Sequence, residues 1–160
     1  MTAIATSTIE SINPATGEVV GSVQITAVNE ITEIVAKARA AQPAWNELGL
    51  DGRAALLRPI ADRLAQESSR IADLITAEMG KSTKEAHGET SYGASKFLVE
   101  LESAVEAFKP EEISDENTRS MLYRDPLGVS AAITPWNFPM LMPQHRILPS
   151  LIFANTFLLH

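Results

Sequence analysis

Between Pro126 and Asn155 the chain reads PLGVSAAITPWNFPMLMPQHRILPSLIFAN, and this stretch restricts the fold more than any other. Val129 to Ile133 is a run of small and branched apolar residues bounded by Gly128 and Pro135, the pattern of a buried strand with two apolar faces. Pro135 and Pro139 each fix φ and remove an amide donor, and Pro139 biases Phe138 toward an extended conformation. Trp136 and Asn137 are therefore carried on a stiffened loop that cannot continue the strand. Met140 to Ile152 then supports a helix. Strand, rigid loop and helix in that order is the arrangement in which α/β folds set ligands at the carboxyl ends of strands.

A chain of 160 residues, 45% of them hydrophobic, has room for one packed core of ordinary size. Its net charge of −7 and the lack of a basic stripe argue against a nucleic-acid partner. It contains no cysteine, which excludes disulfides, thiolate metal sites and a cysteine nucleophile within this chain. The opening residues 1–11, MTAIATSTIES, lack the basic and continuously apolar segments of a secretory signal and read as a flexible leader to a cytoplasmic protein. The longest apolar tract, Ile147 to Leu159, is broken by Pro149 and Asn155 and is too short to span a bilayer, so no transmembrane segment is expected.

Glu10 to Ile25 alternates apolar and polar residues around Asn13-Pro14-Ala15-Thr16-Gly17, which predicts a hairpin. From Ala27 to Gln42, Val28, Ile31, Ile34, Val35 and Ala38 share one helical face, and Pro43 is expected to end that helix. A second helix is predicted from an Asp51 cap through Leu64, kinked at Pro59, and a third from a Ser69 cap to Gly80. Ser82 and Glu85 offer a capping box for a fourth, longer helix whose stripe runs through Phe97, Leu101, Val105 and Phe108 until Pro110. Glu111 to Asn117 reads as an acidic connection and Thr118 to Arg124 as a strand.

Asn137 is the leading candidate for chemistry, because a side-chain amide on a rigid loop can donate N–H to an oxygen that becomes negative in a transition state. From composition alone the better reading is that it satisfies backbone groups in its own Pro-bounded turn. Trp136 could flank a cofactor or pack beneath the loop. His87, His145 and His160 have no spacing that builds a metal site. Glu78, Glu85, Glu89 and Glu100 read as the solvated faces of helices, and Lys81 as a helix-end cation, since no Gly-rich phosphate loop precedes it.

Pro126-Leu127-Gly128-Val129 followed by Ile133-Thr134-Pro135-Trp136-Asn137-Phe138-Pro139 resembles the aldehyde dehydrogenase superfamily. Other segments resemble it in the same order: Asn13 to Glu18 as its first hairpin, Trp45 after its first helix, and Glu78-Met79-Gly80-Lys81 with Glu85-Ala86. The likeness runs from Ile12 to the end and corresponds to the N-terminal part of a much longer family sequence. In that family an aldehyde adds to a cysteine thiolate, hydride passes to NAD or NADP, and water releases the carboxylate. The resemblance implies that Asn137 is the oxyanion-hole amide and that Ile133, Thr134, Pro135 and Trp136 form the cofactor wall. His160 stands where the family has a lysine that bonds the adenosine ribose; imidazole is shorter and mostly neutral at pH 7. Leu151-Ile152-Phe153-Ala154-Asn155-Thr156 departs from the family's L-x-A-G-N-T, placing Ala154 where a Gly would serve a positive φ. The family's nucleophilic Cys and general-base Glu lie downstream of this loop.

The expected architecture is therefore α/β: a partial aldehyde-dehydrogenase-like fold, with residues 12–160 forming the N-terminal part of a Rossmann-like cofactor domain. Residues 118–125 are the expected oligomerisation strand. The expected activity is NAD(P)-dependent oxidation of an aldehyde, by a chain that is incomplete and inactive alone. A homo-oligomer or association with full-length relatives is expected, and a single parallel strand with open edges makes the isolated chain marginal in stability. The alternative function is a non-catalytic interaction protein derived from the same region.

Overall fold

Proline, glycine and small capping side chains decide where most elements end in the computed structural model, which describes residues 8–159. Strands β1 (Thr8–Ile12) and β2 (Val19–Gln24) pair antiparallel around a turn in which Asn13 Oδ1 accepts the amides of Ala15 and Thr16. The strand begins at Thr8, inside the stretch read as a leader; residues 1–7 lie outside the described ones.

Helix α1 (Val28–Glu47) runs through Pro43 rather than stopping there. Two tertiary hydrogen bonds hold its last turns across the proline. Gln42 Nε2 donates to the Ala154 carbonyl at 2.9 Å and Trp45 Nε1 to that of Leu151 at 2.8 Å. Helix α2 (Gly49–Leu57) places Asp51 in its first turn instead of at the cap. Pro59 separates α2 from α3 (Ile60–Met79) instead of kinking one helix, since a residue without an N–H is tolerated where helical donors are unpaired anyway. Helix α3 passes straight through Ser69, because no Pro or Gly interrupts it and Leu64, Ala72 and Ile75 stay in phase. Gly80 ends it at φ 72, and Ser82 accepts the Glu85 amide to start α4 (Thr83–Phe108).

Helix α4 is the spine of the core. Its Phe97, Leu101 and Val105 are buried among Leu57 and Ala61 on one side and Leu148 and Ile152 on the other. Gly93 lets α4 approach α5 closely: a Cβ there would lie 3.1 Å from both Leu141 Cδ2 and Met140 Cε, which would have to shift. After Pro110, Glu111–Ser114 forms β3, not a loop, and pairs antiparallel with β4 (Arg119–Leu122). The acidic residues find cross-strand cations in Arg119 (to Glu112, 3.0 Å) and Arg124 (to Glu111, 3.4 Å). The expected strand at 118–125 is thus one arm of a hairpin.

Strand β5 (Val129–Ala132), helix α5 (Leu141–Ile152) and strand β6 (Thr156–Leu159) form a parallel βαβ unit, so β5 has a neighbour on one edge. The two-sided burial expected for Val129 to Ile133 is not found: the strand is half-buried and Ile133, beyond its end, is 84% exposed. The strands of this unit pack against α5 and against α1, which contacts both strands and whose Ala38 carbonyl accepts from Thr156 Oγ1 at 2.9 Å.

Helix α5 closes with the Asn155 amide bonded to the Ser150 carbonyl and the Ala154 amide to that of Leu151, leaving Ala154 at φ 60 and fully buried. That is the position at which helices use glycine. Phe153 is accommodated by stacking on Phe108 with ring centroids 5.0 Å apart. Relief of the left-handed strain outweighs the lost methyl and added chain entropy, so Ala154→Gly is expected to stabilise the chain by roughly 0.5–1 kcal/mol and raise the melting temperature by ~2 °C. A thermal melt followed by circular dichroism checks it; a fall in melting temperature would contradict the strain.

Candidate active site

The loop 133–139 leaves β5 at the carboxyl end of the parallel pair, where Ala132 lies opposite Leu159. Ile133 and Pro135 are exposed, Thr134 is half-buried, and Trp136 is 76% exposed. These four residues share one end of the βαβ unit, with the backbone of 133–135 outside the β5 ladder. Trp136 and Pro139 also border an apolar cleft of about 660 Å³ between α3 and α5, lined by Ile60, Leu64, Ile75 and Ile147. The indole therefore edges that cleft as well as the strand end. His160 lies outside the described residues.

Asn137 is exposed, and among the described residues its side-chain amide is bonded to none. The possibility that it serves its own turn is thus not what the geometry shows. Its main-chain carbonyl is held instead, by Lys81 Nζ at 2.9 Å. Lys81 follows the Gly80 cap, sits 4.1 Å from the centre of the Phe138 ring, and pairs with Glu89 Oε2 at 2.5 Å. Glu89 Oε1 accepts the amides of Met140 (3.0 Å) and Leu141 (3.2 Å), the first donors of α5. The Glu89 side chain is 1% exposed and that of Lys81 12%.

Neither residue was legible as part of the site. Glu89 has the sequence signature of a helix face, and its partners lie 51 and 52 residues away. The one available signal was Lys81 directly after a helix-ending glycine, which fixes where the ammonium can reach. His145, next to the loop, pairs with Glu100 at 3.0 Å, and His87 faces Asp73 at 3.5 Å; both are partly exposed surface contacts. Among the described residues no cluster of His, Asp or Glu is arranged to hold a metal, and no helix is long and apolar enough to cross a membrane.

Residues 2–160 match the sequence model of the aldehyde dehydrogenase family. The chain belongs to the aldehyde dehydrogenase family. A mitochondrial succinate-semialdehyde dehydrogenase of Arabidopsis thaliana is 37% identical over 152 residues, covering 93% of this chain and 28% of that protein. Among solved structures, succinate-semialdehyde dehydrogenase from Burkholderia pseudomallei superposes with a TM-score of 0.85 at 34% identity, over 96% of this chain and 32% of that one. The NADP-dependent glyceraldehyde-3-phosphate dehydrogenase of Bacillus halodurans, complexed with NADP, gives 0.86 at 29% identity, over 96% of this chain and 33% of that one. The chain thus spans about a third of the length of the aldehyde dehydrogenases it matches, and its helix-rich α/β fold is their N-terminal part.

Proposed function

We propose that this chain supplies the oxyanion-hole loop and part of the cofactor wall of an NAD(P)-dependent aldehyde dehydrogenase. The observation that carries the reading is the Asn137 amide, unengaged on a loop whose main chain is held at Asn137 and at Met140. The strand end fits a dinucleotide: Ile133, Thr134, Pro135 and Trp136 offer an apolar, largely exposed wall with backbone groups outside the ladder. When bound there, NAD or NADP supplies the hydride acceptor. Asn137 then donates its N–H to the aldehyde oxygen as negative charge develops on it during thiolate addition, a contribution of ~3 kcal/mol. The thiolate must come from outside this chain, which has no cysteine.

The relatives named for semialdehydes support a short oxo acid as the substrate class. Purified as these 160 residues, the protein is expected to produce no NAD(P)H from any aldehyde. In a chimaera that carries this region in place of the corresponding third of the Burkholderia pseudomallei enzyme, Asn137→Ala is expected to lower kcat by about 10²–10³-fold. Retention of kcat in that variant would remove Asn137 from the oxyanion hole.

A second reading is favoured by β3 and β4, all of whose residues are exposed, with Ile113 59%, Leu122 45% and the adjoining Tyr123 64% accessible. Such an open edge with apolar side chains suits pairing with another copy or with a full-length relative. In this reading the chain is a cytoplasmic interaction protein without turnover. Co-purification with a full-length aldehyde dehydrogenase, abolished by a proline in β4, supports it; a monomer that captures no relative counts against it.

A further inference from the structure

The geometry points to Lys81 and Glu89 as positioning residues that set the pose of the loop 136–141, so that Asn137 is aimed by a buried ion pair rather than by its flanking prolines alone. The two prolines fix φ at their own positions only. Phe138 is restricted by the proline that follows it and its carbonyl accepts the Met142 amide, but Trp136 and Asn137 keep free ψ angles, and the carbonyl of Asn137 could rotate. Lys81 removes that freedom by binding the carbonyl at 2.9 Å while its ammonium lies over the Phe138 ring. Glu89 fixes the far end by accepting the Met140 and Leu141 amides with one oxygen and holding Lys81 with the other.

One ion pair therefore clamps both ends of the loop. Its anchors are independent of the loop. Lys81 is placed by the left-handed Gly80 cap, against which Pro14 packs so closely that a Cβ on Gly80 would approach Pro14 Cγ to 2.8 Å. Glu89 is placed by the buried face of α4, beside Ala86 and Thr90. The first hairpin, the α3 cap and α4 thus converge beneath a loop that is distant from all of them in sequence.

That the loop belongs to an active site rests on the reading above, but the clamp is tested without any catalytic step. Lys81→Met alone leaves a buried carboxylate without its cation, so the informative variant is Lys81→Met with Glu89→Gln. There the glutamine oxygen can still accept the Met140 and Leu141 amides, while the Asn137 carbonyl loses its donor. In the 160-residue chain, backbone order parameters at residues 136–138 are expected to fall from about 0.85 to below ~0.6, with α4 around Leu101 unchanged. Glu89→Ala should in addition raise hydrogen exchange of the Met140 and Leu141 amides by at least tenfold, on the order expected for a lost charge-assisted bond.

Unchanged order parameters at 136–138 in the double variant would overturn the clamp. So would a loss of protection spread evenly over α4 and α5, which would make the pair merely part of the core. Either result leaves the oxyanion role of Asn137 to its own chimaera test.

Discussion

Lys81→Met is expected to cost the chain about 3–5 kcal/mol of unfolding free energy, because it strands the Glu89 carboxylate in a site where the side chain is 1% exposed. Two backbone amides remain as donors, but they do not replace a full positive charge at 2.5 Å. The contrast is with pairs such as Lys37–Glu33 on α1, whose side chains are 74% and 71% exposed and whose attraction is screened by solvent. Urea denaturation followed by circular dichroism reads both. A loss in Lys81→Met no greater than in Lys37→Met would show that water reaches Glu89 and that the pair is not a buried one.

The second large effect is expected at Arg53. Its side chain is 2% exposed at the α1–α2 junction, where Nε donates to the Ile152 carbonyl at 3.0 Å and Nη1 to that of Asn46 at 3.2 Å. The guanidinium lies 5.6 Å from the centre of the Phe108 ring, which is itself stacked on Phe153. Burial pushes the Arg53 pKa down from its ordinary value, yet a guanidinium remains charged and so favours the carbonyl end of α5. Arg53→Met keeps the stem and leaves the two carbonyls without this donor. The expected loss is about 3 kcal/mol, or a melting temperature lower by about 6–12 °C. Arg53→Lys should recover part of it, since an ammonium reaches one carbonyl but not two. A shift in Arg53→Met of less than ~2 °C would show that those carbonyls find other donors.

The strand, loop and helix of the βαβ unit were readable from residues 128–152, because Gly128, Pro135 and Pro139 punctuate the apolar run, whereas β6 was not expected and the edge of β5 that it covers was read as open. The α4 stripe and its Ser82 start were readable for the same local reasons. Helix ends at Pro43 and Ser69 were misread, because tertiary bonds from Gln42 and Trp45 outweigh one missing donor and an unbroken apolar stripe outweighs a cap-forming serine. Strand β3 hid in an acidic run, and only its cross-strand arginines make those carboxylates compatible with pairing. The loop that carries Asn137 was visible as a motif, whereas the Glu89 that underlies it was not. A glutamate on a helix looks the same in sequence whether it faces water or the start of another helix. Ala154 was the opposite case: the departure from glycine was visible as a letter, and the positive φ it implies is present.

The Glu89 carboxylate also decides what the βαβ unit can offer a dinucleotide. In many α/β folds the first helix after the switch from strand to loop turns its free amides toward the ligand's phosphates. Here the anion at that helix end is already built in, as a side chain bonded to Met140 and Leu141 and neutralised by Lys81. A pyrophosphate placed there would meet a carboxylate. In the proposed reading this unit gives a cofactor apolar contact and backbone hydrogen bonds along Ile133 to Trp136, and the amides of Met140 and Leu141 are not free for its phosphates.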